Sequence, residues 1–136
     1  MIIEWHNHVY PPEEAEHPEW EGRCPMSIEN VLEANAKSDV DAIVVTNAAH
    51  YMRYKSDADE LAAVQRWTDY AAEIQDRYKG KVYCFATLLP CGGTAYVKEM
   101  ERAIGQLGLK GVFINSSHKG HYPDDDEARP FWELAQ

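Results

Sequence analysis

The chain has 136 residues and a mass of 15.5 kDa, which is the size of one domain or of part of a larger one. With 45% hydrophobic and 26% charged residues, the composition is that of a folded globular protein rather than a disordered or fibrous one. Thirteen Lys and Arg against 23 Asp and Glu give a net charge of −10, so we expect no nucleic-acid partner.

Two further features exclude a membrane partner and indicate the compartment. No apolar run approaches the ~20 residues of a membrane helix, and the N-terminus lacks the basic region and apolar run of a secretory signal. Three widely spaced cysteines form no disulfide framework. We therefore expect a cytoplasmic protein.

Short apolar segments alternate with amphipathic segments along the whole chain. Four strands are predicted, at residues 2–6, 42–46, 82–89 and 110–115. Four helices are predicted to follow them. The predicted N-caps of the first three are Ser27, Asp57 or Asp59, and Thr94, and the fourth helix begins at Asp126.

Two of the helices show a clear apolar face with spacings of three and four. In the long second helix, which Gly80 ends, the inward positions are Leu61, Val64, Trp67, Ala71, Ile74 and Tyr78. In the third helix, which Gly108 ends, the inward positions are Val97, Met100, Ile104 and Leu107.

The order β-α-β-α-β-α-β-α predicts an α/β fold with parallel strands and helical crossovers. Two architectures suit it: an open doubly wound sheet of four strands, or the N-terminal half of a TIM-like (β/α)8 barrel, which needs about 250 residues in full. Residues 133–136 stop inside a predicted helix without a C-cap, which favours a piece of a longer protein. We therefore expect residues 1–136 to be a single partial domain.

The sharpest chemical signal is the pair His6 and His8 at the end of the first strand. Alternate residues of a strand point to the same face, so both imidazoles can reach one divalent ion. Glu4 has the same parity and could support the site, whereas Ile3 and Trp5 should pack outward against helices. Parallel α/β folds place their sites at this end of the strands.

Residues 2–11, which include Glu4-Trp5-His6-Asn7-His8 and Pro11, resemble the opening of the amidohydrolase superfamily. The most similar branch is the amidohydrolase-related group that contains aminocarboxymuconate semialdehyde decarboxylase, which begins with a D-x-H-x-H strand. Residues 85–90 resemble its third strand, and residues 105–112 resemble its turn into the fourth strand. The resemblance covers essentially the whole chain.

The resemblance implies a TIM-like barrel that holds one divalent metal, usually zinc with manganese possible, to activate a water molecule. His6 and His8 match the first two metal ligands of the family, and Glu4 replaces its usual Asp. The family takes its other ligands from the fifth, sixth and eighth strands, which are absent here, so no catalytic residue is assigned. We expect a small-molecule substrate, and either a homo-oligomer or association with the missing half-barrel.

Other polar residues follow the predicted strands and could bind substrate at the same rim. These candidates are Arg53, His50, His118 and His121. A guanidinium such as that of Arg53 suits a substrate carboxylate. No role is predicted for His17, for Cys91 or for the run Asp124–Asp126.

The sequence leaves the reaction open between hydrolysis of an amide and non-oxidative decarboxylation of a small organic acid. Two other kinds of protein also fit the pattern. One is a small self-contained α/β binding or regulatory module in which His6 and His8 are only polar surface groups. The other is an assembly subunit that supplies half of a barrel to a partner chain.

Overall fold

The computed structural model describes residues 1–15, 27–47 and 54–136. The strands of this part of the chain form one parallel sheet in the order β1-β2-β3-β4. They are β1 (Ile3–His8), β2 (Ala42–Thr46), β3 (Val82–Thr87) and β4 (Gly111–Phe113). The α/β prediction and the parallel pairing are confirmed.

Helical segments connect the strands. They are α1 (Pro12–Ala15), α2 (Ile28–Asn35), α3 (Asp57–Arg77), α4 (Thr94–Met100) with a π-helical continuation at Glu101–Gln106, a 3-10 turn at Asp126–Ala128, and α5 (Arg129–Ala135). The short α1 is an additional helical segment that the sequence did not predict. No helix in these ranges is both long and apolar enough to cross a membrane.

The strand order distinguishes between the two predicted architectures. A parallel crossover is almost always right-handed, so strands that are added one after another in the same direction place every crossover helix on one face of the sheet. A doubly wound sheet instead reverses direction at a switch point. The order β1-β2-β3-β4 contains no reversal and therefore corresponds to a segment of a barrel wall.

One face of the sheet packs against the helices and forms the core. Val45 of β2 lies beside Cys84 of β3 in the register, and both side chains are fully buried. From α3, Trp67 and Ile74 join the same cluster. The Trp67 indole N–H donates to the backbone oxygen of Phe85 at 3.2 Å, which satisfies its one polar group inside the core.

The helix starts agree only in part with the sequence. Ser27 caps α2 as predicted, and its hydroxyl accepts from the Asn30 N–H at 3.2 Å. The cap of α3 is Ser56 rather than Asp57 or Asp59, because the Ser56 hydroxyl accepts from the Asp59 N–H.

The third predicted helix also starts differently, since Thr94 is its first residue and not its cap. The cap position of α4 belongs to Gly93, which has a φ of 72° and no side chain to cap with. A non-glycine residue rarely adopts this conformation.

A π-helical turn overturns one core prediction in the third helix. The Leu107 N–H donates to the Arg102 oxygen at 2.9 Å, a five-residue step that rotates the following side chains relative to an α-helix. As a result Ala103 is fully buried, whereas Ile104, which was predicted to face the core, is 40% exposed.

This rotation predicts an unequal response to two truncations in the same helix. Met100→Ala should lower the free energy of unfolding by about 2–5 kcal/mol, because the Met100 side chain is buried. Ile104→Ala should lower it by less than ~1 kcal/mol, because its side chain already contacts water. Chemical denaturation measures both, and equal losses would contradict the π-helical turn.

Candidate functional site

His6 and His8 converge at the end of β1. Their Nε2 atoms lie 2.9 Å apart, and their rings meet edge to face with centroids 4.7 Å apart. With metal–nitrogen bonds of about 2.1 Å, this separation corresponds to an angle of ~90° at one shared ion. The prediction that the two imidazoles face a common point is confirmed, and metal binding itself stays a prediction.

A β-bulge in β1 changes what surrounds these histidines. Glu4 pairs with Ile43 and Asn7 pairs with Val45, so β1 uses one more residue than β2 between the two pairs. The simple alternation of faces therefore fails within this segment. Glu4 shares the register row of Ile43, a core residue on the helix-facing side, and its carboxylate accepts from the His6 N–H at 3.3 Å.

The prediction that Ile3 and Trp5 pack outward against helices is wrong. Ile3 is 46% exposed and Trp5 is 64% exposed. The Trp5 ring instead meets Phe85 of β3 edge to face, with centroids 5.4 Å apart. Trp5 and its neighbour His6 consequently line the same pocket, which consecutive residues of a regular strand do not do.

Thr46, the last residue of β2, orients the ring of His8. The two residues are partners in the strand register, and the Thr46 Oγ1 lies 2.8 Å from the His8 Nδ1. The Thr46 hydroxyl also donates to the Asn7 backbone oxygen at 3.4 Å. When the hydroxyl proton points to Asn7, the Thr46 oxygen can accept from the His8 Nδ1–H, and the His8 Nε2 then carries the lone pair that a metal requires.

The surroundings of His8 disfavour its protonated form. Partial burial lowers the pKa of His8 below its usual value, and the nearby His6 lowers it further. A neutral imidazole is the form that binds a metal ion.

A pocket of ≈ 270 Å³ opens beside these histidines on the face of the sheet opposite the helices. Its walls include the aromatic rings of Trp5, Phe85 and Phe113, together with His6 and Thr46. No carboxylate or thiol lines this pocket in the described ranges. Any further ligand for a metal at His6 and His8 would have to come from outside that lining.

His118 and His121 lie elsewhere, on a tight turn after β4. Their backbones exchange two hydrogen bonds of 2.9 Å, and the residues between them, Lys119 and Gly120, both have positive φ. The His118 Nε2 lies 2.9 Å from the carboxylate of Glu60, which is buried at the start of α3.

This turn borders a second pocket, of ≈ 210 Å³. The second pocket shares no lining residue with the pocket at His6. The ammonium group of Lys119 holds the turn in place, since it lies 2.8 Å from both Glu60 and Asp57. A substrate-binding role for His118 and His121 stays a prediction. His50 and Arg53, the other two predicted rim residues, lie outside the described residues.

Sequence reasoning missed two features of this end of the sheet. Thr46 ends a predicted strand, but its contact with His8 depends on a strand register that the sequence does not reveal. Cys91, His121 and Asp125 come together although each was considered separately. Only the presence of metal-binding residue types after neighbouring strands could have indicated this group.

The comparisons with known proteins agree with this architecture. The model of the family described as amidohydrolase matches residues 3–136. No curated protein matches the chain.

Among solved structures, 2,6-dihydroxybenzoate decarboxylase from Rhizobium superposes with a TM-score of 0.80 at 19% identity, over 98% of this chain and 46% of that one. The 5-carboxyvanillate decarboxylase from Sphingomonas paucimobilis has a TM-score of 0.83 at 17% identity, over 98% and 48%. A dihydroxybenzoic acid decarboxylase from Polaromonas sp. JS666, with bound manganese and the inhibitor 2-nitroresorcinol, has a TM-score of 0.77 at 18% identity, over 98% and 46%.

These likenesses establish the fold. The chain spans slightly less than half the length of each of these structures. Its four parallel β/α units correspond to the N-terminal portion of a TIM-like barrel, as predicted.

The contact between Thr46 and His8 generates a prediction about metal affinity. Thr46→Val keeps the shape of the side chain but removes the hydroxyl, so the His8 ring loses its orienting partner. Metal affinity, measured by competition with a chromophoric chelator, should fall about 10–100-fold.

Thr68→Val is the matched control. Thr68 is equally buried, but its hydroxyl bonds within α3 to the Val64 oxygen, away from the histidines. Equal affinities for the Thr46 and Thr68 variants would show that the hydroxyl of Thr46 does not support His8.

Proposed function

Because the chain belongs to the amidohydrolase family, we propose that it supplies the first metal ligands of an enzyme that decarboxylates a small aromatic acid without an oxidant. The observation that carries the proposal is the 2.9 Å convergence of the His6 and His8 nitrogens beside an aromatic pocket. The solved structures named above are aromatic-acid decarboxylases, which supports the same substrate class.

The donor atoms on this chain suit a divalent ion of the zinc or manganese class. Neutral imidazole binds several such ions, so His6 and His8 alone do not select one of them. Manganese is the ion bound in the decarboxylase from Polaromonas. Zinc is the usual metal that the family resemblance of the sequence implies. When bound, the ion supplies positive charge that attracts an anionic substrate and stabilises negative charge that develops on it.

The residues of this chain would position both the ligands and the substrate. The Thr46 hydroxyl lies 2.8 Å from the His8 Nδ1 and so orients a ring whose Nε2 lies beside the His6 Nε2. Trp5, Phe85 and Phe113 provide aromatic faces and edges against which a planar ring can pack. A pocket of ≈ 270 Å³ is close to the lower limit of small-molecule sites, which suits a substrate with a single ring.

The proposed reaction replaces a carbon–carbon bond with a carbon–hydrogen bond. The bond between the ring and its carboxylate breaks, the electron pair stays on the ring carbon, a proton adds there, and CO2 leaves. No acidic side chain lines the pocket within the part of the chain that the structure describes. We therefore assign no proton donor among the described residues of the pocket.

Hydrolysis of an amide is the other reaction that the sequence left open. The aromatic lining favours a planar acid over a flexible amide, since three rings border the pocket next to His6. A non-catalytic binding module would need neither the paired imidazole nitrogens nor the hydroxyl that orients one of them.

Loss of either histidine tests the metal site directly. In the complete polypeptide, His6→Ala and His8→Ala should each lower the bound metal and the kcat/KM for 2,6-dihydroxybenzoate. The loss should exceed the ~10–100-fold expected when a residue that only orients a metal ligand, such as Thr46, is changed. Metal content is measured by mass spectrometry after dialysis, and CO2 release measures activity.

His17→Ala is the matched control, because it removes a histidine for which no role is predicted. Wild-type protein that holds no metal at His6 and His8 would refute the proposal. Metal-dependent release of an amine from amide substrates, without release of CO2 from aromatic acids, would replace decarboxylation by hydrolysis.

The aromatic wall generates a separate prediction about substrate binding. Trp5→Leu should raise KM for an aromatic acid about threefold to tenfold, since an aromatic pair contributes ~0.5–1.5 kcal/mol beyond its buried area. Metal content should not change.

Trp132→Leu is the control, because Trp132 packs against Phe131 in α5. An unchanged KM in the Trp5 variant would exclude Trp5 from the substrate pocket.

A further inference from the structure

Three potential metal ligands meet beside the second pocket, on loops separate from β1. They are the Sγ of Cys91 after β3, a ring nitrogen of His121 after β4, and a carboxylate oxygen of Asp125 just before the 3-10 turn. All three atoms lie within 4.8 Å of one another. None of them comes from the strand that carries His6 and His8.

The distances suit a tetrahedral ion after small movements. Around tetrahedral zinc, a nitrogen and an oxygen ligand are about 3.4 Å apart, and a sulfur lies about 3.6 Å from either. The His121 Nδ1 is already 3.6 Å from the Asp125 Oδ2. Because the Cys91 Sγ lies at most 4.8 Å from one ligand atom of each of the other two residues, a shift of roughly 1 Å completes the geometry.

Backbone contacts hold all three groups in place without a metal. His121 lies on the two-residue turn closed by paired hydrogen bonds to His118. The carboxylate of Asp125 accepts from the Tyr122 N–H at 2.9 Å. The Cys91 thiol donates to the Tyr122 backbone oxygen at 3.3 Å, so the backbone of Tyr122 contacts both Cys91 and Asp125.

The local charge also favours a cation. Glu127 adds an oxygen 3.3 Å from the His121 Nδ1. In the described ranges, the one side chain that ion-pairs with Asp125 and Glu127 is His121, so no Lys or Arg neutralises this group.

We propose that Cys91, His121 and Asp125 form a second metal site for a zinc-class divalent ion, separate from His6 and His8. A sulfur, a nitrogen and an oxygen ligand together suit a borderline ion such as zinc better than magnesium or calcium. Binding transfers the thiol proton of Cys91 to solvent and forms a metal–sulfur bond. The ion would join the loop after β3 to the loop after β4 at the rim of the ≈ 210 Å³ pocket.

Cobalt(II) is the probe, because thiolate coordination gives it a charge-transfer absorption in the near ultraviolet that imidazole and carboxylate ligands do not produce. The complete polypeptide, freed of metal, is titrated with cobalt(II) and then with zinc. The wild type should develop the band, and zinc should abolish it. The band should be lost in Cys91→Ser and should persist in the double variant His6→Ala/His8→Ala.

Two aspartates of one acidic run supply the matched control. Asp125→Asn should lower the cobalt affinity, measured from the charge-transfer band, at least about tenfold. Asp124→Asn makes the same change of charge and should lower this affinity less than about threefold. Circular dichroism confirms that the variants are folded.

The absence of a thiolate band in folded wild-type protein, or a band that survives Cys91→Ser, would overturn this second site. The proposed enzymatic function is tested separately by metal at His6 and His8. Either site can therefore fail without affecting the outcome for the other.

Discussion

The parallel pairing of four strands in chain order is the constraint on which the rest of the structure depends. It brings the carboxyl ends of all four strands to one edge of the sheet. The ends of β1 and β2 carry the polar side chains of the first candidate site, and the loops after β3 and β4 carry those of the second. The pairing of β1 with β2 places His8 beside Thr46, so a hydroxyl from one strand orients an imidazole from the next. The core between the sheet and α3, which includes Trp67, holds these strands in register.

A local irregularity then shapes the site on this regular frame. In a regular strand Trp5 and His6 would point to opposite faces of the sheet, so one of them would face the helices and not the pocket. The bulge between Glu4 and Asn7 places both beside the same pocket, next to Phe85. Bulges are frequent beside active sites because they redirect a side chain without ending the strand. Here the redirected side chain adds an aromatic surface next to the paired imidazole nitrogens of His6 and His8.

The sequence predicts what depends on local pattern and misses what depends on register and helix phase. The four strands, the long apolar stripe of α3 and the cap at Ser27 all follow from periodicity and residue type. The bulge in β1 and the π-helical turn that exposes Ile104 each add one residue to a regular element, and no residue pattern marks the insertion. The meeting of Cys91 with Asp125 depends on how two loops fold beside each other, so it became visible only in three dimensions.

The central claim is that His6 and His8 bind one metal ion together. Crystals of the complete polypeptide, measured at the absorption edge of the bound metal, test it most directly through the anomalous difference density. The account predicts a peak at about 2.0–2.2 Å from the Nε2 atoms of both histidines, with Thr46 still bonded to the Nδ1 of His8. Density that lies near neither ring, or no density in protein saturated with manganese and zinc, would contradict it.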